Sequence, residues 1–145
     1  MLAVAMRRDL KVVVITDDDE QGARIRSECA KQKIACLGVG EFSERTEGDR
    51  SIEDLLGIDF YIRAVNEWYG SFEWFQAIDS HAVRRELGSR SLGFYLSRLF
   101  KETFDRNFDK VGVMLSIVEG LDEMPAPIFQ RLGAMIRQTR SLASD

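Results

Sequence analysis

Histidine occurs once in the 145 residues, and cysteine and proline twice each. Each scarcity closes off a class of chemistry. His81 has no partner in the sequence to orient it and reads as structural rather than catalytic. Cys29 and Cys36 lack the second pair or histidine cluster that a zinc site needs, so they read as half-buried thiols of a reducing cytoplasm. No apolar run approaches the roughly 20 residues that cross a bilayer, which excludes a spanning helix as a reading of the sequence. "MLAVAM" is too short, and too soon followed by Arg7, Arg8 and Asp9, to serve as a secretory leader. There is no internal repeat and no low-complexity tract. What remains, at 45% hydrophobic and 30% charged, is the composition of a soluble globular domain with room for a core.

The net charge of −4 is unevenly spread. Residues 1–60 hold 9 Lys/Arg against 13 Asp/Glu, whereas residues 61–145 hold 11 of each. Within the second part, residues 84–110 carry seven basic side chains, among them Arg84, Arg85, Arg90 and Lys101, against four acidic ones. Overall acidity argues against a nonspecific polyanion binder but permits a local basic patch beside an acidic pocket. An ordinary solvated face of mixed charge is the plainer reading of the same residues.

The first half alternates strand and helix signals. "KVVVIT", from Lys11, is a continuous apolar run and predicts a strand buried on both faces. Ala23, Ile25, Cys29 and Ala30 fall near helical spacing and predict a helix from Glu20 to about Gln32. "IACLGVG" predicts a second short strand ended by Gly38 and Gly40. A strand, helix and strand in this order form a βαβ unit with a right-handed crossover, hence a parallel sheet with functional groups at its carboxyl edge.

After the polar stretch at 41–50 the pattern becomes helical. Tyr61, Ile62, Val65, Trp68, Tyr69 and Phe72 trace one apolar stripe, and Leu92, Tyr95, Leu96, Leu99 and Phe100 trace a second. A third helix is expected from about Asp109. Pro125 and Pro127 precede a last one marked by Ile128, Phe129, Leu132, Met135 and Ile136. Trp68, Tyr69, Phe72, Trp74 and Phe75 could serve as a base-stacking platform, but at helical spacing they read as core. The fold class is therefore α/β, a small parallel sheet followed by an α-helical half.

The chemistry concentrates where "VVVIT" runs into "DDDEQG". Alternation along an extended chain sends Asp17 and Asp19 to one side and Asp18 to the other. Two converging carboxylates suit Mg²⁺, which takes one or two carboxylates and keeps several waters. The same acidic residues would also favour the positive end of the following helix, a purely structural use.

"VVVITDDDEQG" resembles the Asp-x-Asp signature of the Toprim domain of topoisomerases, primases and OLD-family (overcoming lysogenization defect) nucleases. "SIEDLLGIDFYIRAVNEWYG" is similar to the OLD-type segment in which Ser-x-Glu precedes "DLL" and a helix. "DKVGVMLSIVEGL" resembles the later helix that opens with a lysine facing the phosphate. The resemblance runs from about Lys11 to Leu121. It implies a Toprim-like core over residues 1–60 with the helical part 61–145 packed on it as one domain. It also implies Asp17, Asp19, Ser51 and Glu53 around Mg²⁺ or Mn²⁺, with Glu53 and Lys110 catalytic and Lys101 as the alternative lysine. Arg84, Arg85, Arg90 and Lys101 would then grip a DNA backbone.

Toprim domains begin with a strand ending in glutamate, and "MLAVAMRRDL" contains none. The chain is accordingly expected to be a fragment or subunit of an ATPase–nuclease, in phage or foreign-DNA defence, or a module that has lost its chemistry and serves assembly or nucleic-acid binding. Glu119 offers a Glu-Gly, though in a helical context. An unpaired strand edge would invite a second copy or an ATPase partner. A receiver domain of two-component signalling also pairs acidic residues after its first strand. It would further need a phospho-accepting aspartate at the end of a third strand.

Overall fold

The β-branched run ahead of the aspartates forms β1 (Val13–Thr16), and Ala35–Gly38 forms β2. In the computed structural model, which describes residues 11–144, the two strands pair in parallel, Val13 opposite Ala35 and Thr16 opposite Gly38. The crossover is α1 (Glu20–Lys31), within a residue of its predicted bounds. Asp19 caps it by accepting the Gly22 N–H at 2.6 Å, while Glu20 and Lys31 complement the two ends of the helix dipole. The sequence-based expectations for residues 1–10 lie outside the described residues.

A 3₁₀ turn (Val39–Phe42) follows β2, and the polar loop then returns to the strand end. There Asp18 and Arg50 exchange backbone hydrogen bonds of 2.6 and 3.1 Å. This bridge delivers the chain to α2 (Ile52–Leu56) directly beside the aspartates. Five helices follow: α3 (Ile58–Tyr69), α4 (Ser80–Glu86), α5 (Leu92–Phe104), α6 (Lys110–Glu119) and α7 (Ala126–Ser144). The described residues thus form a small two-stranded parallel sheet followed by a helical half, and no helix among them is long and apolar enough to cross a membrane.

The apolar core lies among the helices. Tyr61, Ile62 and Val65 of α3 meet Leu92, Leu96 and Phe100 of α5 and Val113 of α6, each 2% exposed or less. Tyr69, Trp74, Phe75, Phe100, Phe104 and Phe108 interlock with ring centroids about 5–6 Å apart, so Tyr69, Trp74 and Phe75 join the core as predicted, whereas Trp68 and Phe72 are 37% and 45% exposed. α7 doubles back to touch β1, β2 and α2, and so ties the last helix to the first strand.

Four local expectations change. β1 is not buried on both faces, since Ile15 is 42% exposed, and Val12 just before the strand is 49% exposed. A strand is covered on both sides only inside a broader sheet, and this one has two strands among the described residues. The first aromatic stripe does not stay on one helix, because α3 stops at Tyr69 and Phe72 lies in the turn beyond Gly70. In α7 only Ile128 is fully buried, leaving Phe129 and Ile136 in solvent. α4 was not anticipated, being too short for a period to show, although Asp79 caps it. With no third strand among the described residues, the aspartate that a receiver domain requires has no place to sit.

Candidate metal and phosphate site

The three aspartates at the end of β1 are divided by their neighbours among three jobs. Asp18 turns away, as alternation predicts, and lies between two guanidinium groups, with Arg26 at 2.7 Å and Arg50 at 2.5 Å. Arg26 also donates to the Thr16 hydroxyl at 2.8 Å and to the Asp17 carbonyl at 3.0 Å, pinning the strand end against α1. Gly22 is required at this junction, because a Cβ there would collide with the Asp17 carbonyl. Asp19 uses Oδ1 for the helix cap. Asp17 has neither task, and its carboxyl senses the charges of Glu53 and Lys110.

Glu53 and Lys110 arrive there from α2 and α6. The Glu53 side chain is wholly buried, and its Oε1 lies 2.7 Å from Lys110 Nζ, whose side chain is about half exposed. The approach is off-axis, so neither carboxylate oxygen of Glu53 has a properly formed hydrogen bond. The hydroxyl of Tyr61, fully buried, is also without a partner. Burial pushes the Tyr61 hydroxyl well above the ordinary tyrosine range, and the charge of Glu53 adds to the effect. Burial likewise raises the Asp17 carboxyl above the usual aspartate value. The Lys110 ammonium opposes that shift, Glu53 and Asp19 reinforce it, and a hydrogen bond from the Ile52 N–H offsets it in part. Asp17, Asp19, Glu53 and Lys110, drawn from three separate parts of the sequence, therefore share one electrostatic neighbourhood. Lys110, rather than Lys101, is the lysine beside it.

No protein-family model, no curated protein and no solved structure matches the chain.

The other predicted residues are placed differently. Ser51 is buried, but its hydroxyl donates to Asp54 Oδ2 at 3.1 Å and accepts the Gly93 N–H at 3.3 Å. It fastens α2 to α5 instead of presenting a free oxygen. Arg84 pairs with Asp59 at 2.5 Å, Lys101 with Asp105 at 2.6 Å, and Arg90 lies over the Tyr95 ring while donating to the Leu87 carbonyl. Arg85 is exposed and has no ion pair among the described residues. The basic segment is thus largely a face of local pairs. Glu119 ends α6 in solvent, far from any strand-turn context.

Sequence reasoning missed the buried network that supports Glu53. Asp54 accepts from the Ser51 and Leu92 N–H groups at 2.8 and 3.0 Å and pairs with Arg45 at 2.7 Å. The Ser-x-x-Asp spacing of "SIED" is the capping-box signal that could have found it. Gly93 was missed as well. A Cβ there would stand 2.7 Å from Glu53 Oε2, so the glycine leaves room for the carboxylate.

Among the described residues, no three His, Cys, Asp or Glu side chains gather closely enough to hold a metal ion by themselves. Asp17 senses the charges of Glu53 and Asp19, and Mg²⁺ accepts one or two carboxylates alongside water and phosphate. Glu53 Oε1 already has the Lys110 ammonium at 2.7 Å, whereas the buried Oε2 has no hydrogen-bond donor, which such oxygens normally have.

Proposed function

We propose that the chain carries part of a divalent-cation-dependent phosphodiesterase site of the OLD-type Toprim kind, acting on DNA as a domain or subunit of an ATPase–nuclease. The observation that carries this reading is the pairing of Glu53 with Lys110 at 2.7 Å, across two helices, within the electrostatic neighbourhood of Asp17 at the strand end. Mg²⁺ or Mn²⁺ bound there would supply an activated water and neutralise charge on a phosphodiester in transition. Asp17 and Glu53 would hold the cation, with Asp19 in the same electrostatic neighbourhood. Lys110, half exposed on the first turn of α6, balances Glu53 at rest and can swing its ammonium to a phosphate oxygen. Gly93 and the Asp54 network keep Glu53 in place while that exchange occurs.

Nicking of supercoiled plasmid with Mn²⁺ tests the reading, comparing wild type with Asp17→Ala and Glu53→Ala. Loss of nicking in both variants supports it, and equal residual activity in all three removes it. Calorimetric titration of the chain with Mn²⁺ should show weak binding, because the carboxylates present make only part of a coordination shell.

A second reading, a catalytically silent Toprim-like module used for assembly or nucleic-acid binding, is favoured by one observation. The Lys110 ammonium already neutralises Glu53 without any metal. In that case Mn²⁺ neither binds nor promotes nicking, and Lys110→Ala strands a buried carboxylate and destabilises the fold.

A further inference from the structure

α1 meets the sheet along one line of residues. Its buried positions, Gly22 and Cys29, are seven apart and so lie on the same side of the helix. Gly22 abuts the Asp17 carbonyl at the end of β1, and Arg26, between the two, donates to the Thr16 hydroxyl. Cys29 continues that line one turn further along α1. On β2, Gly38 faces the same helix, since a Cβ there would stand 3.3 Å from Arg26 Nη1. Side chains two apart on a strand share a face, so Cys36 is turned towards α1 as well. It pairs with Val14, one step back from the Thr16–Gly38 pair that Arg26 covers.

The turn between the two elements sets how far along this face each cysteine lies. Gln32, Lys33 and Ile34 donate their N–H groups to the carbonyls of Glu28, Ala30 and Cys29 at 3.1, 3.2 and 2.9 Å, with Lys33 left-handed at φ 57°. The Cys29 backbone is therefore tied to Ile34, two residues before Cys36. Gly38 meets Arg26 and Ile34 meets Cys29, which leaves Cys36 between them against the last turns of α1. Cys29 is 7% exposed, Cys36 is partly buried, and both thiols are free. Burial first, and then the neighbouring Cys29 thiol, raises the Cys36 thiol above the ordinary cysteine range, with Thr16 and Arg26 opposing the shift. The candidate metal site uses neither thiol.

We propose that Cys29 and Cys36 are a dithiol that a small-molecule disulfide oxidises to an intramolecular bridge, clasping the end of α1 to β2. Cys36 is the more accessible sulfur and opens the exchange. Its thiolate attacks one sulfur of the small disulfide, forming a mixed disulfide and expelling one small thiolate. Cys29 then gives its proton to solvent and its sulfur attacks that of Cys36, so that a second small thiolate leaves. The chain loses two electrons and two protons, and the small disulfide becomes two thiols. The bridge closes a short loop across the turn and fixes the helix on the strand it follows. The inference rests on the βαβ crossover alone and does not depend on the nuclease reading.

Incubation of the native full chain with oxidised glutathione in mildly alkaline buffer provides the test, read by intact mass and by peptide mapping without reductant. The expected product has lost two hydrogens, retains no glutathione and links Cys29 to Cys36. It should melt about 5–10 °C above the reduced chain, and dithiothreitol should abolish the gain. In Cys29→Ser the exchange should stop at a glutathione adduct on Cys36. In Cys36→Ser the buried Cys29 should react at least about tenfold more slowly than Cys36 does in Cys29→Ser. A wild-type chain that keeps both thiols free, or that holds glutathione on Cys36 without resolving it, overturns the proposal. So does a bridge that forms only in urea, that joins two chains, or that lowers the melting temperature.

Discussion

The two halves of this molecule bury different chemistry. Among the described residues, the buried polar or charged side chains, Thr16, Ser51, Glu53 and Asp54, lie between positions 16 and 54, whereas every residue of the main apolar cluster lies between Leu56 and Ile128. The helical half is held together by area removed from water, which is non-directional and tolerant of small shifts. The strand-end region is held together by ion pairs and hydrogen bonds, which are directional and expensive when half made. A small two-stranded sheet cannot build a core of its own, so it borrows the helices as a platform and places its carboxylates at the seam.

That contrast can be broken from either side. The largest effect is expected in the helical half. Phe100→Ala removes a fully buried ring in contact with Tyr69, Phe75 and Phe108 and should lower unfolding free energy by about 3–5 kcal/mol in urea titration. A loss below about 1 kcal/mol would show that the aromatic cluster is not the stabilising centre.

Next comes the polar network. Asp54→Ala leaves Arg45 and the Ser51 and Leu92 N–H groups without their acceptor. It should cost about 3 kcal/mol. Proteolysis should show the damage first at the junction of α2 and α5, not at α7.

Glu53→Gln sharpens the comparison by separating stability from function. Its oxygens have no well-formed hydrogen bonds, so removing the buried charge should change stability by only about 1 kcal/mol in either direction, while Mn²⁺ affinity disappears. Large destabilisation together with retained Mn²⁺ binding would reverse the roles assigned to the two halves.

The smallest effect belongs to the exposed pair Arg84–Asp59. The Arg84 guanidinium, and after it Ser80, holds the Asp59 carboxyl below the usual aspartate value. A carboxyl with a lowered folded-state value contributes stability above the ordinary aspartate range and loses it as pH falls through the lowered value. Both side chains are mostly in solvent, so Arg84→Ala should change stability by less than about 0.5 kcal/mol. NMR titration should nevertheless show Asp59 returning upward.

Much of this organisation was legible in advance, for identifiable reasons. "KVVVIT" and the spacing of Ala23, Ile25 and Cys29 located β1 and α1, because strand and helix signals are carried by near neighbours in sequence. The turn of Asp18 away from Asp17 and Asp19 followed from backbone alternation. The open side of β1 was not legible, because a continuous apolar run looks the same whether a sheet has two strands or five. Nor was the fate of Ser51: a hydroxyl beside a glutamate suggests a ligand until Asp54 and the Gly93 N–H are seen to take it. Nor were the partners of the basic run at 84–110, Asp59 for Arg84 and Asp105 for Lys101, because sequence counts charges but not their pairings.

The sequence by itself determined the order of the elements, the parallel hand of the βαβ unit and the position of the aspartates at a strand end. These depend on local propensity, periodicity and chain chirality. Only the tertiary structure decided what each carboxylate does. Asp18 meets Arg50 across 32 positions, and Glu53 meets Lys110 across 57, and nothing near either residue announces its partner. Burial and pairing are settled by which distant surfaces come together. Three adjacent, chemically identical aspartates therefore become a salt bridge, a helix cap and a candidate metal ligand.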